Sequence, residues 1–392
     1  MSGSRQWLAD AVTDQRITVD IAPSYCYVVR TMKIALSCGG TGGHAIPGVV
    51  VAEELRERGH EVIVCLAGKG IESASTRIWT GPVVAVRAGG LPSGLPLVGT
   101  FVAGLGLCRT VLECLSIMRR DRPDVLLAMG SYASFGPACA AGILRVPVVA
   151  HEGNAVPGRA IEFISRWAKA VAVSFPETER FFKGRRCVHT GFPIRSGMER
   201  AQARRVGTGQ LNLLVAGGSQ GAMRLNEVAV EAACLLKERG TMFSILHLAG
   251  PSHESEVRAR YAAAGVNAEV RGFMQDIKSA YAVADFAITR AGAGTCFELL
   301  NQRVPALMVP FPFAARGHQS ANAMAMHRLG VADVIEERDL TADWLANYLD
   351  NVRTNSVNLA AMRSAADSAA HTCGRALLAD LVVECGRTTA KK

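Results

Sequence analysis

The sequence predicts an α/β protein of two Rossmann-like domains with parallel sheets. Three observations predict it. Short apolar runs alternate with stretches of helical period, which implies parallel strands covered on both faces. Glycine-rich turns follow several of those runs. The order strand, glycine loop, helix opens twice, at residues 33–58 and again at 211–236. The chain has 392 residues, 49% apolar and 20% charged. That is enough apolar material for large cores, so global disorder is excluded.

Residues 1–31 have no apolar core of signal-peptide type and no clear period. They read as a disordered extension, or as sequence ahead of a true start at Met32. The first domain is expected over 32–195. KIALSC (33–38) is an apolar run, GGTGGH (39–44) the turn after it, and Ile46 to Arg58 keeps helical spacing until Gly59 stops it. EVIVCL (61–66), VVAVR (83–87), DVLLAM (124–129), PVVA (147–150) and AVAVS (170–174) read as further strands. Residues 196–210 are polar and basic and read as a linker. The second domain, 211–372, holds strands LNLLVA (211–216), FSILHLA (243–249), ADFAIT (284–289) and PALMVP (305–310). The C-terminal region is helical in pattern, and a helix within 373–392 can cross back and brace the first domain.

The net charge is +9. A basic surface suits nucleic acid, anionic lipid or a phosphorylated ligand. Basic clusters are short, such as Arg119, Arg120 and Arg122, or Arg185 and Arg186. With no long basic block and no helix-turn-helix or zinc-finger pattern, nucleic acid ranks last. The 11 cysteines form no CxxC pair, so reduced, buried thiols are expected rather than a disulfide framework or a metal site. The stretch from Leu91 to Cys108 is uncharged but carries two prolines and four glycines. A membrane-spanning helix is disfavoured there, yet the stretch is too apolar for a free loop.

The chemistry should sit in the turns, because turns at strand C-termini line the crevice of an open parallel sheet. Glycine lets backbone N–H groups approach a phosphate, and the helix that follows adds its dipole. The first turn gives GxGxxA through Gly40, Gly42 and Ala45, a weak match. No acidic residue ends the second strand, which counts against NAD(H). His44 enters the next helix and is either a packed or capping histidine or a functional one. GSYASFGP (130–137) follows a strand, as does HEGN (151–154), where His151 is the member most suited to a structural role. GGSQGA (217–222) and RAGAGTCFE (290–298) recur in the second half, and HQSANA (318–323) follows its last strand. Thr295 can cap its helix. Glu298, one turn in, can either hold two ribose hydroxyls or compensate the dipole. No DxD pair occurs. A metal-independent sugar transfer is expected, with helix N-termini and hydroxyls neutralising a diphosphate and no cofactor.

In this order, and over roughly residues 32–372, these segments resemble the MurG family of GT-B glycosyltransferases. GGTGGHAIPG, GSYASFGP, GGSQGA, RAGAGTCFEL and PFPFAARGHQSANA look like its successive motifs. HEGN is similar to the family's HEQN, with Gly153 in place of glutamine. HTGFPIR (189–195) is similar to TGNPVR, with Phe192 in place of asparagine. The resemblance implies a GT-B fold with the two sheets facing a central cleft. It implies inverting transfer of N-acetylglucosamine from UDP-N-acetylglucosamine to the 4-hydroxyl of undecaprenyl-pyrophosphoryl-muramoyl-pentapeptide. That step belongs to peptidoglycan synthesis, at the cytoplasmic face of the cell membrane.

By the same resemblance, Phe273 and Met274 would face uracil, Glu298 the ribose, and Ser219 and Gln220 the diphosphate. Ala293 and Thr295 would offer donors at the helix start, His318 and Gln319 would reach sugar hydroxyls, and Arg195 would assist at the nucleotide. Thr41, Gly42, Gly43 and Asn154 are also placed on the donor. The acceptor side would be Thr41, His44, Tyr132, Ser134 and Asn154. His44 is the first choice of general base and Glu152 the second. Leu95, Leu97, Phe101 and Leu105 would dip into an anionic membrane surface, with Arg109, Arg119 and Arg120 near head groups. The alternative is that this stretch is an interior loop and helix. The rival activities are transfer to another lipid such as diacylglycerol, and UDP-sugar epimerisation. A non-catalytic, membrane-associated scaffold is the third rival.

Overall fold

The computed structural model describes residues 31–39, 42–67, 79–86, 97–195, 197–198, 210–369 and 374–387, with the backbone alone at 67 and 97–105. The expected extension before Thr31, Thr41, Leu95 and nearly all of the expected linker lie outside the described residues.

The first half runs β1 (Lys33–Ser37), α1 (Gly42–Glu57), β2 (Glu61–Ala67), β3 (Val83–Val86), α2 (Leu97–Asp121) and β4 (Val125–Ala128). It continues with α3 (Phe135–Ile143), β5 (Val148–Glu152), α4 (Arg159–Ile164), β6 (Ala170–Val173) and β7 (Cys187–His189). The second half runs β8 (Leu211–Ala216), α5 (Met223–Glu238), β9 (Phe243–Leu248), α6 (Glu254–Ala263), β10 (Ala268–Arg271) and α7 (Ile277–Val283). Then come β11 (Phe286–Thr289), α8 (Ala293–Gln302), β12 (Ala306–Met308), α9 (His318–Arg328) and β13 (Ala332–Val334). Helices α10 (Ala342–Thr354), α11 (Ser356–Ser368) and α12 (Gly374–Arg387) follow.

Among the described residues the strands form two all-parallel sheets. Their orders are β3-β2-β1-β4-β5-β6-β7 and β10-β9-β8-β11-β12-β13. Strands β4, β5, β6 and β11 are buried along their whole length, the mark of a sheet covered on both faces. In each sheet the order reverses once, at β1/β4 and at β8/β11. Loops leaving neighbouring strands diverge at such a switch and open a crevice beyond the strand C-termini.

Helix α12 packs on the first sheet. Leu378, Leu381 and Val382 share a core with Ile34, Leu36, Val125 and Leu127. Burying several such side chains contributes about 1.5–3 kcal/mol each. The ion pairs Arg58–Asp380 (2.6 Å) and Arg186–Glu384 (2.7 Å) border that seam. They are partly exposed, so the apolar contact is the main anchor. The apolar stretch ending at Cys108 enters α2 from Leu97 onward. No helix among the described residues is long and apolar enough to cross a membrane. The described cysteines are free thiols.

Three strands went unread in the sequence: β7, β10 and β13. Each lies at a sheet edge and pairs on one side only. Each is also short, and none is buried along its whole length, so no apolar run announces it.

Candidate functional site

The first switch point carries His44. It lies on α1, just beyond β1, and its Nδ1 is 3.0 Å from the carbonyl oxygen of Met129, just beyond β4. A carbonyl only accepts, so Nδ1 carries the proton and Nε2 presents a lone pair. Gly130 allows the ring so near. Its φ is +97°, and a Cβ there would stand 3.2 Å from the imidazole. Burial pushes the His44 pKa down, the Met129 carbonyl raises it, and charge on His318 lowers it further. His318 belongs to α9 in the second half, so its effect on His44 crosses between the halves. Gly42 and Gly43 open α1, with no acidic residue in its first turn.

Tyr132 is exposed at the turn after β4. Ser134 is not offered to a ligand. It is fully buried, and its hydroxyl lies 2.6 Å from the Gly130 carbonyl and 3.1 Å from that of Ser37. The turn consumes it. His151 is buried, with Nε2 3.2 Å from the Ser174 hydroxyl, which lies 3.2 Å from the Gly191 carbonyl. Burial and the charge of His44 push its pKa down to about 3. His151 is therefore a neutral structural group.

Glu152 is placed differently from a free base. One carboxylate oxygen accepts from the Asn154 N–H (2.9 Å) and side-chain amide (3.0 Å), and the other from the Gly158 N–H (2.8 Å). Burial raises its pKa and these bonds offset the rise. The carboxylate ties its own turn together. Asn154 is likewise committed. Its Oδ1 accepts from Asn322 Nδ2 at 3.1 Å, and Asn322 also donates to the Ala291 carbonyl and accepts from the Ala155 N–H at 2.8 Å. Asn322 is fully buried on α9 and joins the turn after β5 to the turn after β11. Sequence reasoning named its segment but not this residue.

The second switch point carries two glycine turns. Ser219 and Gln220 are exposed at the tip of the turn between β8 and α5. The turn is pinned by the Gly221 N–H donating to the Gly218 carbonyl at 3.0 Å. Helix α8 starts at Ala293 after Gly292, with no side-chain cap and no acidic residue in its first turn. Thr295 is thus a first-turn residue, not the cap expected from the sequence. The opening N–H groups of an uncapped helix have no intrahelical partner and attract an anion. Gln319 holds this region, its Oε1 accepting from the N–H groups of Ala291 (3.2 Å) and Phe311 (3.0 Å). Its amide nitrogen remains a donor. His318 Nδ1–H donates to the Ala315 carbonyl at 2.7 Å, which turns Nε2 outward as an acceptor.

Glu298 lies further along α8 and accepts from the Tyr281 hydroxyl at 3.0 Å. Burial raises its pKa, while Arg195 and Tyr281 pull it back. One oxygen is used, and the other can meet a diol. Tyr281 was not legible as a site residue. Arg195 reaches the Gln275 carbonyl, and its buried Nε–H has no partner among the described residues. Phe273 is 45% exposed, free to offer a ring face, while Met274 is half-buried against the second core. No group of three or more metal-binding side chains occurs among the described residues.

Leu97, Phe101 and Leu105 fall at positions four apart at the start of α2. Arg109 lies on the same helix and is exposed.

Residues 34–173 match the glycosyltransferase family 28 N-terminal domain, and residues 212–376 the family 28 C-terminal domain. The UDP-N-acetylglucosamine–N-acetylmuramyl-(pentapeptide) pyrophosphoryl-undecaprenol N-acetylglucosamine transferase of Thiobacillus denitrificans is 39% identical over 342 residues, 85% of this chain and 92% of that protein. The enzyme of the same name from Anaeromyxobacter dehalogenans strain 2CP-1 is 36% identical over 324 residues, 82% of this chain and 84% of its own. Among solved structures, Acinetobacter baumannii MurG superposes with a TM-score of 0.74 at 28% identity, covering 90% of this chain and 99% of that one. A Listeria monocytogenes structure described as a putative UDP-N-acetylglucosamine 2-epimerase has a TM-score of 0.62 at 13% identity, a likeness of fold alone. Both domains of family 28 are present in order and the relatives align over most of their length. This chain therefore belongs to the MurG family of glycosyltransferase 28 enzymes, the N-acetylglucosamine transferases.

Proposed function

We propose that the chain transfers N-acetylglucosamine from UDP-N-acetylglucosamine to the 4-hydroxyl of a lipid-linked muramoyl-pentapeptide, at the surface of an anionic membrane. What supports the reading is that His44 lies on α1 with Nδ1 bound to Met129, and that α1 contacts α8, whose start is uncapped. A base beside a helix start that can take a diphosphate is what glycosyl transfer to a hydroxyl needs.

The step balances simply. The acceptor oxygen forms a bond to the anomeric carbon while the bond from that carbon to the UDP oxygen breaks. The hydroxyl proton passes to His44 Nε2, and UDP leaves with the bonding pair. Attack from the face opposite the leaving group inverts the anomeric centre. The amides of Ala293, Gly294 and Thr295, with Ser219 and Gln220, stabilise the charge that grows on the diphosphate. Glu298 takes the ribose, and Phe273 stacks on uracil. Gln319 and His318 meet the hydroxyls of the donor sugar. Glu152, Asn154 and Ser134 hold the turns that carry the site. Leu97, Phe101 and Leu105, with Leu95 before them, enter the leaflet, and Arg109, Arg119 and Arg120 meet its head groups.

The test is transfer of radiolabelled N-acetylglucosamine to a synthetic undecaprenyl-pyrophosphoryl-muramoyl-pentapeptide analogue with chelator present. A labelled disaccharide-lipid is expected. Transfer only after magnesium is added would keep the donor and acceptor and sink metal independence. No transfer in either condition would sink the acceptor.

A further inference from the structure

Two of the three positions at which this chain departs from its family's HEQN and TGNPVR motifs, Gly153 and Phe192, lie against each other, the third being Ile194. Phe192 is buried, and its ring stacks on Phe297 of α8, with centroids 5.6 Å apart and planes 6° apart. Phe297 is backed by Phe175 at 4.8 Å, and His151 lies 6.1 Å from the Phe192 ring. A Cβ placed on Gly153 would stand 3.0 Å from Phe192 Cε2, and one on Gly294 would stand 3.7 Å from Cε1. One ring thus touches the turn after β5 in the first half and the uncapped start of α8 in the second. The φ of Gly153 is not in the left-handed region. Its backbone does not require glycine, so what the position supplies is room.

We propose that Phe192, seated in the space left by Gly153, is a positioning residue for donor binding. It sets the start of α8, with its diphosphate-binding amides, against the first half. A side chain at 153 would press on the ring. A ring displaced in this way would press on Phe297, on which it stacks, and through it on α8. This inference rests on the donor reading above. It adds that positions 153 and 192 act as one unit, in which a larger residue at one demands a smaller residue at the other.

The experiment compares the parent chain, Gly153→Gln, Phe192→Asn and the double variant. It measures UDP affinity by calorimetry, and kcat with KM for the donor. Each single variant is expected to raise the UDP Kd and donor KM about tenfold, the scale of a sub-ångström misplacement. With donor saturating, kcat should change less than about threefold, a split that general loss of folded protein does not produce. The double variant, in which glutamine refills the vacated space, is expected to return KM to within about threefold of the parent. An unchanged KM in Gly153→Gln, or a double variant no better than that single, overturns the proposal. If Gly153→Gln fails to fold, Gly153→Ala, which adds only the Cβ, takes its place with the same outcomes. A parent chain that binds no UDP overturns the donor reading and this proposal with it. That failure is seen before any variant is compared.

Discussion

His44 and Met129 stand on opposite sides of the first sheet's switch point, and the imidazole Nδ1–H donates to the Met129 carbonyl at 3.0 Å. The bond fixes both the tautomer and the ring, so Nε2 is the basic atom. His44→Gln is expected to lower kcat by about 10²- to 10⁴-fold, the usual worth of a general base, with little change in donor KM. Steady-state kinetics with both substrates varied would measure it. A kcat near the parent's would remove His44 from the chemistry.

The pH profile should carry the signature of that base. Burial and the charge of His318 hold the His44 pKa below its ordinary 6.5, against the raising effect of Met129. A base works deprotonated, so activity should persist below pH 6.5 and fall only as pH drops through the lowered value. His318→Gln removes a charge that lowers the pKa. The acid limb of kcat/KM should therefore move to higher pH. A limb that stays or moves lower contradicts the cross-half coupling.

Glu298 and Tyr281 make a second measurable pair, joined at 3.0 Å. Glu298→Ala should weaken UDP binding by about 1.5–3 kcal/mol, the range for a hydrogen bond to a charged group. It should cost almost nothing with 2′,3′-dideoxy-UDP. Equal losses for both nucleotides would take Glu298 off the ribose.

Asn322 makes three hydrogen bonds, two of them to the first half, and is fully buried. Asn322→Leu strands the Ala155 N–H and the Ala291 carbonyl. A loss of about 2–4 kcal/mol in unfolding free energy is expected. Urea titration would read it, and an effect under about 0.5 kcal/mol would show that the bridge is dispensable.

The start of α2 supplies the membrane test. Residues four apart share one face of a helix, and Leu97, Phe101 and Leu105 have that spacing. Phe101→Asp should reduce flotation with vesicles containing anionic lipid while leaving the unfolding transition intact. Unchanged flotation would withdraw this face from the bilayer.

The glycine turns of the site were legible because the backbone itself demands them. Gly130, Gly218 and Gly221 adopt positive φ, and such positions stand out in any sequence. The central strands were legible for a similar reason, since strands covered on both faces are continuous apolar runs. Edge strands such as CVH at β7 pair on one side only and stay partly exposed, so pairing rather than composition makes them strands. The polar residues were harder to rank. Ser134 and Asn154 were read as ligand contacts, but the hydrogen-bonding needs of their own turns claim them first. Asn322 and Tyr281 gave no signal, because their partners come from distant segments: Asn322 meets Ala155 across 167 positions. Thr295 was misplaced by three residues, because the helix is entered through Gly292, which offers no side chain to mark the cap.

The packing of α12 on the first sheet has a consequence for biosynthesis. Met32, Ile34 and Leu36 leave the ribosome long before the side chains that close their core, Leu378, Leu381 and Val382. Domains ordinarily fold in the order in which they are translated. Here the order is inverted: residues 211–362 can complete the core that they form among themselves while the first sheet still exposes one face. The nascent first half must wait for α12 to be made, holding an apolar surface that any chaperone or membrane nearby will meet before α12 does.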